Sequence, residues 1–530
     1  MSSEKANKKV LVGVVIWLVI IMVVGAGVKL VFFPAQKSKL EQETGSSSQY
    51  TRGQLRLATD SFSGYCILRS DNFKGRLKSL GVKLVVEDDQ ADYIARINSL
   101  KDGSVDMAVF TVDSLIASSA AIGDMPGTII AVIDESKGAD AIIAYDGVVS
   151  QLQDLDSPNV KIVLTPSSPS EFLTRVVMSH FSVSDLENRW EEANGSTDVL
   201  KKFRTADKSQ KEAFVMWQPE VAQALELSGA KVLLDSSKLS GYILDVLVVR
   251  REYLRDNEEL VREVTEAYFR SAHDYNQEAD GMKELVIQDA KEFGGQKLSD
   301  KQATELVAGV EWKNVLENYA HFGLLSGQES KGLKCLEDAI GDISKVLVST
   351  GAISSNPVAG RETSLFFDVI MSDMQTASFH PGRATNLLVD QAGLGLSGED
   401  MAEIRGVEEL PELSEEQWNK LISVGQMRIK PITFGRGRAK IGIQAQRDLV
   451  ELTDNLGSWP EYYLMIVGHA SAKGDMDANL ALAKKRSQAV AEYLLSGGVS
   501  ENRVRAVAAN PSGEGAASQS VTFVLGQMPY

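Results

Sequence analysis

YYLMIVGHASAKGDMDANLALAKKRSQAVAEYLL, residues 462–495, decides the C-terminal fold. Tyr462 to Val467 is an unbroken apolar run, the pattern of a buried strand, and Gly468 breaks it into a polar loop rich in Gly and Asp. From Leu480 to Leu495, Ala483, Ser487, Val490, Ala491 and Leu494 recur at helical spacing. One helix face can therefore pack on the strand while Arg486 stays beside the loop. Upstream, Ile432-Thr433-Phe434 reads as a short strand, and Ala445, Leu449, Leu452 and Leu456 give a helix an apolar stripe. An α+β unit over residues 427–530 is expected.

This order of motifs resembles the C-terminal domain of the OmpA family, shared with Pal and MotB-like proteins, whose signature is a strand, then GHTD, then N-x-x-L-S-x-x-R-A. Gly468-His469-Ala470-Ser471 stands at the first motif, and Asn479, Leu482, Ala483, Arg486 and Ser487 stand at the second. The resemblance implies a sandwich that binds peptidoglycan, gripping the carboxylate and amine of a diaminopimelate stem peptide with a loop Asp and a helix Arg. Ser471, Asn479 and Arg486 are the implied wall-binding residues, and His469 is implied to be structural. Two departures are visible. Ser471 replaces the loop Asp and cannot pair with an ammonium as a carboxylate does, and Ser518-Gln519-Ser520-Val521 replaces the family's closing N-R-R-V.

Outward from this unit, Gly53 to Thr376 alternates short apolar strands with amphipathic helices. Leu55–Thr59, Lys83–Val86, Asp106–Phe110, Ile129–Ile133, Ala141–Ala144 and Val160–Leu164 read as strands. Phe73–Leu80, Ala91–Leu100 and Val112–Ala120 read as helices. In such α/β sheets ligands bind beyond the carboxyl ends of strands, so the loops there carry the function. Thr165 to Glu171 is one of them: Ser168 and Glu171 form an S-x-x-E capping box with Pro169 at the first helical position, so free N–H groups and the helix dipole favour an anionic ligand.

Five of these segments, in order, resemble periplasmic solute-binding proteins of the nitrate, sulfonate, taurine and thiamine-precursor group. Asp60-Ser61-Phe62-Ser63-Gly64-Tyr65 is similar to the family's W-x-G-Y loop, with Phe62 in place of Trp. Leu100 to Asp106, followed by Thr111-Val112-Asp113-Ser114, is similar to its L-x-x-G-x-x-D. Gly138-Ala139-Asp140-Ala141 matches its G-x-D, and Gln151-Leu152-Gln153-Asp154-Leu155 resembles the opening of its second lobe. Ala213 to Pro219 resembles D-A-x-x-x-W-x-P. The resemblance implies a two-lobed fold over residues 53–376 with Ser61, Gly64, Tyr65, Thr111, Asp140, Ser167, Ser168 and Trp217 at a cleft for a small anionic solute.

Residues 10–33, VLVGVVIWLVIIMVVGAGVKLVFF, are long and apolar enough to cross a hydrocarbon core of about 30 Å. Lys5, Lys8 and Lys9 precede them, so residues 1–9 are expected in the cytoplasm and the bulk of the chain outside. A signal peptide cleaved near Val24-Gly25-Ala26 is the competing reading. The span carries no carboxylate, which argues for an anchor rather than an ion-driven motor. Residues 34–52 read as a leash of about 65 Å when extended. Residues 377–426 form an acidic connector in which Ser414 and Gln417 cap a helix expected over Glu415–Val424, with Trp418, Leu421 and Ile422 on one face.

The net charge of −17 argues against nucleic acid as a partner. Cys66 and Cys335 are too few for a disulfide framework. The five histidines lack metal-ligand spacing, and no G-x-S-x-G, P-loop or H-E-x-x-H occurs, so neither an enzyme nor a cofactor is expected. The sequence thus describes a bacterial inner-membrane-anchored periplasmic receptor with a wall-associated module and an ABC permease or another envelope protein as client. Its competitor is a scaffold whose binding-like domain makes protein contacts between membrane and wall.

Overall fold

The computed structural model describes residues 50–181, 183, 189–278, 280–325, 327–382, 402–406, 409–425, 431–512 and 517–528. The expected span at 10–33 and most of the leash lie outside them. Among the described residues no helix is long and apolar enough to cross a membrane.

The chain from residue 53 builds two sheets before the C-terminal module. β1 (Gly53–Thr59), β2 (Val82–Asp88), β3 (Met107–Thr111) and β4 (Gly127–Ser136) begin the first, which takes the order β11-β4-β10-β3-β1-β2 once β10 (Leu244–Arg250) and β11 (Val310–Trp312) return to it. β5 (Asp140–Tyr145), β6 (Lys161–Leu164), β7 (Trp190–Glu192), β8 (Glu212–Trp217) and β9 (Ala230–Asp235) make the second, in the order β7-β6-β8-β5-β9. β4 and β5 are buried along their whole length, which takes Asp134, Glu135, Ser136 and Asp140 inside with the apolar residues. The helices that position the cleft are α1 (Tyr93–Asp102), α2 (Val112–Ile122) and α3 (Pro169–His180).

The chain crosses between the lobes from β4 to β5 and back from β9 to β10, and the crossings are tied together. Ser136 Oγ lies 2.7 Å from Ser236 Oγ and 2.7 Å from Asp140 Oδ2, while Ser236 Oγ accepts the Gly138 and Asp140 N–H groups at 2.8 and 3.2 Å. Any force on Asp140 is therefore felt at the hinge.

The C-terminal module is a sheet of order β12-β16-β14-β15, with β13 (Ile432–Thr433) also on β16, made by β12 (Ile422–Gly425), β14 (Tyr463–Gly468), β15 (Val504–Ala508) and β16 (Ser520–Gln527). Two helices complete it, α4 (Ile443–Gly457) and α5 (Met476–Ser496). α4 buries Ala445, Leu449, Leu452 and Leu456, and α5 buries Ala483, Ser487, Val490 and Leu494, the stripes expected. The approach of α5 to β14 explains Gly468: a Cβ there would lie 2.0 Å from the Ala483 carbonyl oxygen.

The connector differs from expectation. The helix opened by the Ser414–Gln417 capping box stops at Lys420, and Ile422–Gly425 pairs with β16 instead of continuing it. β-branched Ile422 and Val424 suit a strand, and the free edge of β16 supplies the ladder. The module's sheet thus begins at Ile422, ahead of residue 427. Trp418 packs edge-on against Tyr463, with ring centroids 5.4 Å apart.

The described residues of Leu55–Leu77 and from Leu84 onward form one unit, so the module sits against the two-lobed body. Trp459, in the turn after α4, is wholly buried there. Its indole Nε1–H donates to His180 Nδ1 at 3.1 Å, its ring meets Phe181 edge-on at 5.1 Å, and Tyr462 stacks on it at 5.1 Å. Beside it Ser240 N–H donates to the Ser458 carbonyl at 3.1 Å, and Lys334 Nζ donates to Ser458 Oγ at 3.2 Å.

Candidate functional site

A cleft opens where the β1 and β10 ends meet β5 and α3. From the first lobe it is lined by Asp60, Phe62, Tyr65, Tyr93 and Asp245, and from the second by Asp140, Pro169 and Trp217. It is narrow, about 20 Å³, room for a water.

Its electrostatics are acidic. Asp60 is neutralised: Arg96, wholly buried, donates from Nη2 to Asp60 Oδ2 at 2.8 Å and to Asp89 Oδ1 at 2.5 Å, with Tyr93 beneath the guanidinium at 4.7 Å. The other carboxylates have no such partner. Asp140 rests one oxygen on Ser136 Oγ and leaves Oδ1 without a hydrogen bond. Asp245 accepts the Tyr65 hydroxyl at 2.5 Å and faces Asp134 across the β4–β10 pair. Neither oxygen of Asp134 meets a fixed donor; its neighbour in reach is Asp245. Burial pushes the Asp134 and Asp140 carboxyls up to about 7, and burial with repulsion from Asp134 pushes Asp245 well above the usual carboxylate range. Asp113, at the start of α2, is raised by burial to about 7 as well. Lys313 is held by Glu135 at 2.9 Å and Glu311 at 2.7 Å, and does not reach the cleft lining.

Of the residues expected at a cleft, Tyr65, Asp140 and Trp217 line it. Ser61 is exposed outside the lining, and Gly64 lies behind the wall, its carbonyl accepting the Trp312 indole N–H at 2.8 Å. A Cβ on Gly64 would meet Phe62 Cε1 at 2.3 Å. Thr111 is buried, its hydroxyl turned to Ser114 Oγ at 2.9 Å.

The capping box at α3 does not form as expected. Ser168 Oγ donates to the Thr165 carbonyl at 2.6 Å, and Glu171 reaches past Ser168 to accept the Ser167 N–H at 2.7 Å, with Ser167 left-handed at φ +54°. Neither serine belongs to the lining. Glu171 thus takes one of the N–H groups expected for an anionic solute, and is itself paired with Arg175 at 2.5 Å.

Asp60, Phe62, Tyr93, Asp134 and Asp245 escaped the sequence reading. The signal for the last two was an acidic residue inside an otherwise apolar strand, AVIDES and LDVLVV. Such a residue is buried with a reason or not at all.

In the C-terminal module, Arg486 is buried, its guanidinium lies over the Phe434 ring at 5.5 Å, and its hydrogen bonds go to carbonyl oxygens: Nε donates to Arg438 O at 3.0 Å, Nη1 to His469 O at 2.8 Å and Nη2 to Gly435 O at 3.3 Å. It gathers the loops after β13 and β14, and no acidic side chain pairs with it among the described residues. Ser471 Oγ accepts the Lys473 N–H at 3.1 Å, and Asn479 Nδ2 donates to the Lys473 carbonyl at 2.8 Å. Asp475 caps α5, accepting the Asp477 and Ala478 N–H groups at 3.0 and 3.2 Å. His469 Nε2 lies 2.8 Å from Thr522 Oγ1. Cys66 and Cys335 are both free, and among the described residues no cluster of His, Cys, Asp or Glu is placed to hold a metal ion.

Residues 433–521 match the model of the OmpA family. Within that region the chain is 37% identical over 76 residues to a peptidoglycan-associated lipoprotein of Rhizobium meliloti, an overlap of 14% of this chain and 43% of that protein. The chain spans less than half the length of the curated relatives it matches. Among solved structures, the periplasmic aliphatic sulphonate binding protein of Escherichia coli is similar at 13% identity and a TM-score of 0.45, covering 59% of this chain and 92% of that one. The peptidoglycan-associated lipoprotein of Burkholderia pseudomallei is similar at 26% identity and a TM-score of 0.17, covering 18% of this chain and 89% of that one.

Proposed function

We propose that this chain is an envelope receptor: the two-lobed body binds a small solute in the cleft, the OmpA-type module holds peptidoglycan, and residues 10–33 anchor the chain in the inner membrane. The observation that carries the receptor is Asp140, buried at the crossing between the lobes with a carboxyl oxygen that no described residue satisfies. An unsatisfied buried polar group costs about 1–3 kcal/mol, which a ligand at that point recovers. Closure of the lobes on it would report occupancy, through an ABC permease or another envelope partner. A scaffold is the second reading, favoured by the small volume of the cleft. A receptor requires that some small molecule raise the melting temperature of the full chain; a scaffold does not.

For the wall, Arg486 supplies a positive charge that no acidic side chain among the described residues pairs with, and Ser471 leaves the ammonium side of a stem peptide without a carboxylate. Binding should be measurable but about tenfold to a hundredfold weaker than with a carboxylate at that position. In a pelleting assay with purified peptidoglycan, Ser471→Asp should increase the bound fraction of the full chain and Arg486→Ala should abolish it. Because Arg486 also braces loops, Arg486→Lys serves as the control that keeps the charge. Wild type that stays in the supernatant, unrescued by Ser471→Asp, ends the wall reading and leaves the module as a docking domain.

A further inference from the structure

We propose that the cleft takes a compact primary amine in its protonated form, with the ammonium group placed between Asp140 and Asp245 and the carbon body against Tyr65, Tyr93 and Trp217. The inference rests on the receptor reading and adds the ligand's charge and donor chemistry.

The free valences of the site call for N–H donors. Asp140 Oδ1 accepts no hydrogen bond among the described residues although Asp140 is 3% exposed, and Asp245 lines the same cleft from the other lobe. An ammonium group brings three donors and one positive charge to them. A quaternary ammonium brings the charge without the donors. A carboxylate, sulfonate or nitrate brings neither, and would lie against Asp140 and Asp245.

Among the described residues, the neighbouring cations are committed elsewhere. Arg96 is committed to Asp60 and Asp89, and Lys313 to Glu135 and Glu311. Lys137 is likewise held at Glu135, 2.9 Å away. The walls are aromatic, with Phe62 and Tyr65 edge to face at 5.2 Å and Trp217 lining the cleft from the other lobe, and aromatic faces attract a cation; with about 20 Å³ free, the lobes must part to admit more than the ammonium group. No three metal-ligating side chains converge among the described residues.

Binding should displace protons. The groups that sense the site are Asp134, Asp140 and Asp245, with Asp113 and Glu135 nearby; Asp60 is tied to Arg96, Lys313 lies behind Glu135, and Tyr65 donates to Asp245. At neutral pH the buried carboxyls hold protons that an ammonium replaces, so amine affinity should rise as pH rises. Each displaced proton adds up to about tenfold per pH unit below 7, the rise levelling off above it.

The test is thermal shift of the full chain with butylamine, 1,4-diaminobutane, tetramethylammonium, ethanesulfonate, nitrate and glycerol at pH 5.5 and 8. The expected result is a rise of a few degrees with a primary amine, larger at pH 8, absent with tetramethylammonium and the anions, and lost in Asp140→Asn. Asp245→Asn should weaken the amine by about tenfold to a hundredfold. Stabilisation by ethanesulfonate, nitrate or glycerol but not by an amine overturns the amine and leaves the receptor standing. An amine shift that survives in both Asn variants overturns the site. No shift with any of the six, at either pH, overturns the amine and sides with the scaffold.

Discussion

Trp459→Ala should loosen the C-terminal module from the two-lobed body and lower stability by about 3–5 kcal/mol, the usual range for emptying a buried aromatic site. The substitution leaves a hole lined by His180, Phe181 and Tyr462. It also strands a hydrogen bond whose direction the chemistry fixes. The indole N–H can only donate, so His180 Nδ1 accepts and the ring proton sits on Nε2, where it donates to Tyr242 Oη at 3.2 Å. Burial holds the His180 imidazolium pKa down at about 4, so the ring stays neutral in this role. Differential scanning calorimetry of the full chain should show the module's transition separating from the body's, with a melting temperature lower by on the order of 10 °C. A single unshifted transition would mean that the module does not dock through this residue. The contact matters for function because α3 joins the two places. Pro169 lines the cleft at one end and His180 meets Trp459 at the other, roughly 17 Å along twelve residues.

The ligand-free body should lose stability as pH rises from about 4 to 7. Asp113, Asp134 and Asp140 have folded pKa values near 7 against an unfolded value near 3.8, so between these limits the folded chain binds more protons than the unfolded one. Their contribution is full at low pH and is lost as each ionises in the buried state. The three-unit rise corresponds to an upper figure of about 4 kcal/mol per group. Asp140→Asn removes one of them and should stabilise the chain at pH 8 by up to that amount while changing little at pH 4. His180 and His321, both lowered to about 4, act in the other direction: their contribution is present above about 6.5 and is lost as pH falls toward 4. Urea titrations of wild type and Asp140→Asn at pH 4, 6 and 8 separate the terms. Equal stability of the two proteins at pH 8 would mean that Asp140 is not a strained carboxyl.

The framework was legible because periodicity is a local property. The apolar run before Gly468 and the stripes of α4 and α5 announced the module, and the strand runs from Leu55 to Leu164 announced the lobes. Tyr65, Asp140 and Trp217 were legible because each sits in a short motif, Tyr65 in the loop after β1, Asp140 at the start of β5 and Trp217 at the end of β8. What stayed hidden depends on pairings between distant segments. Asp134 and Asp245 become neighbours only when β4 and β10 pair, and Arg96 finds Asp60 only across the first lobe. That is why the anion expected from one loop took no account of the carboxyl groups that strand pairing brings to the cleft. The Ser168–Glu171 pattern failed for a local reason, since the left-handed Ser167 offers its own N–H first. The helix expected through Val424 ended early because β16 had an unpaired edge to fill.

The most direct test of the receptor at the centre of this account is to purify the full chain without harsh washing, denature it, and identify by mass spectrometry the small molecules released, alongside the same extract from Asp140→Asn. The account predicts a compact amine released at close to one equivalent from wild type and absent from the variant. Identical extracts, with no small molecule held by either protein, would contradict it.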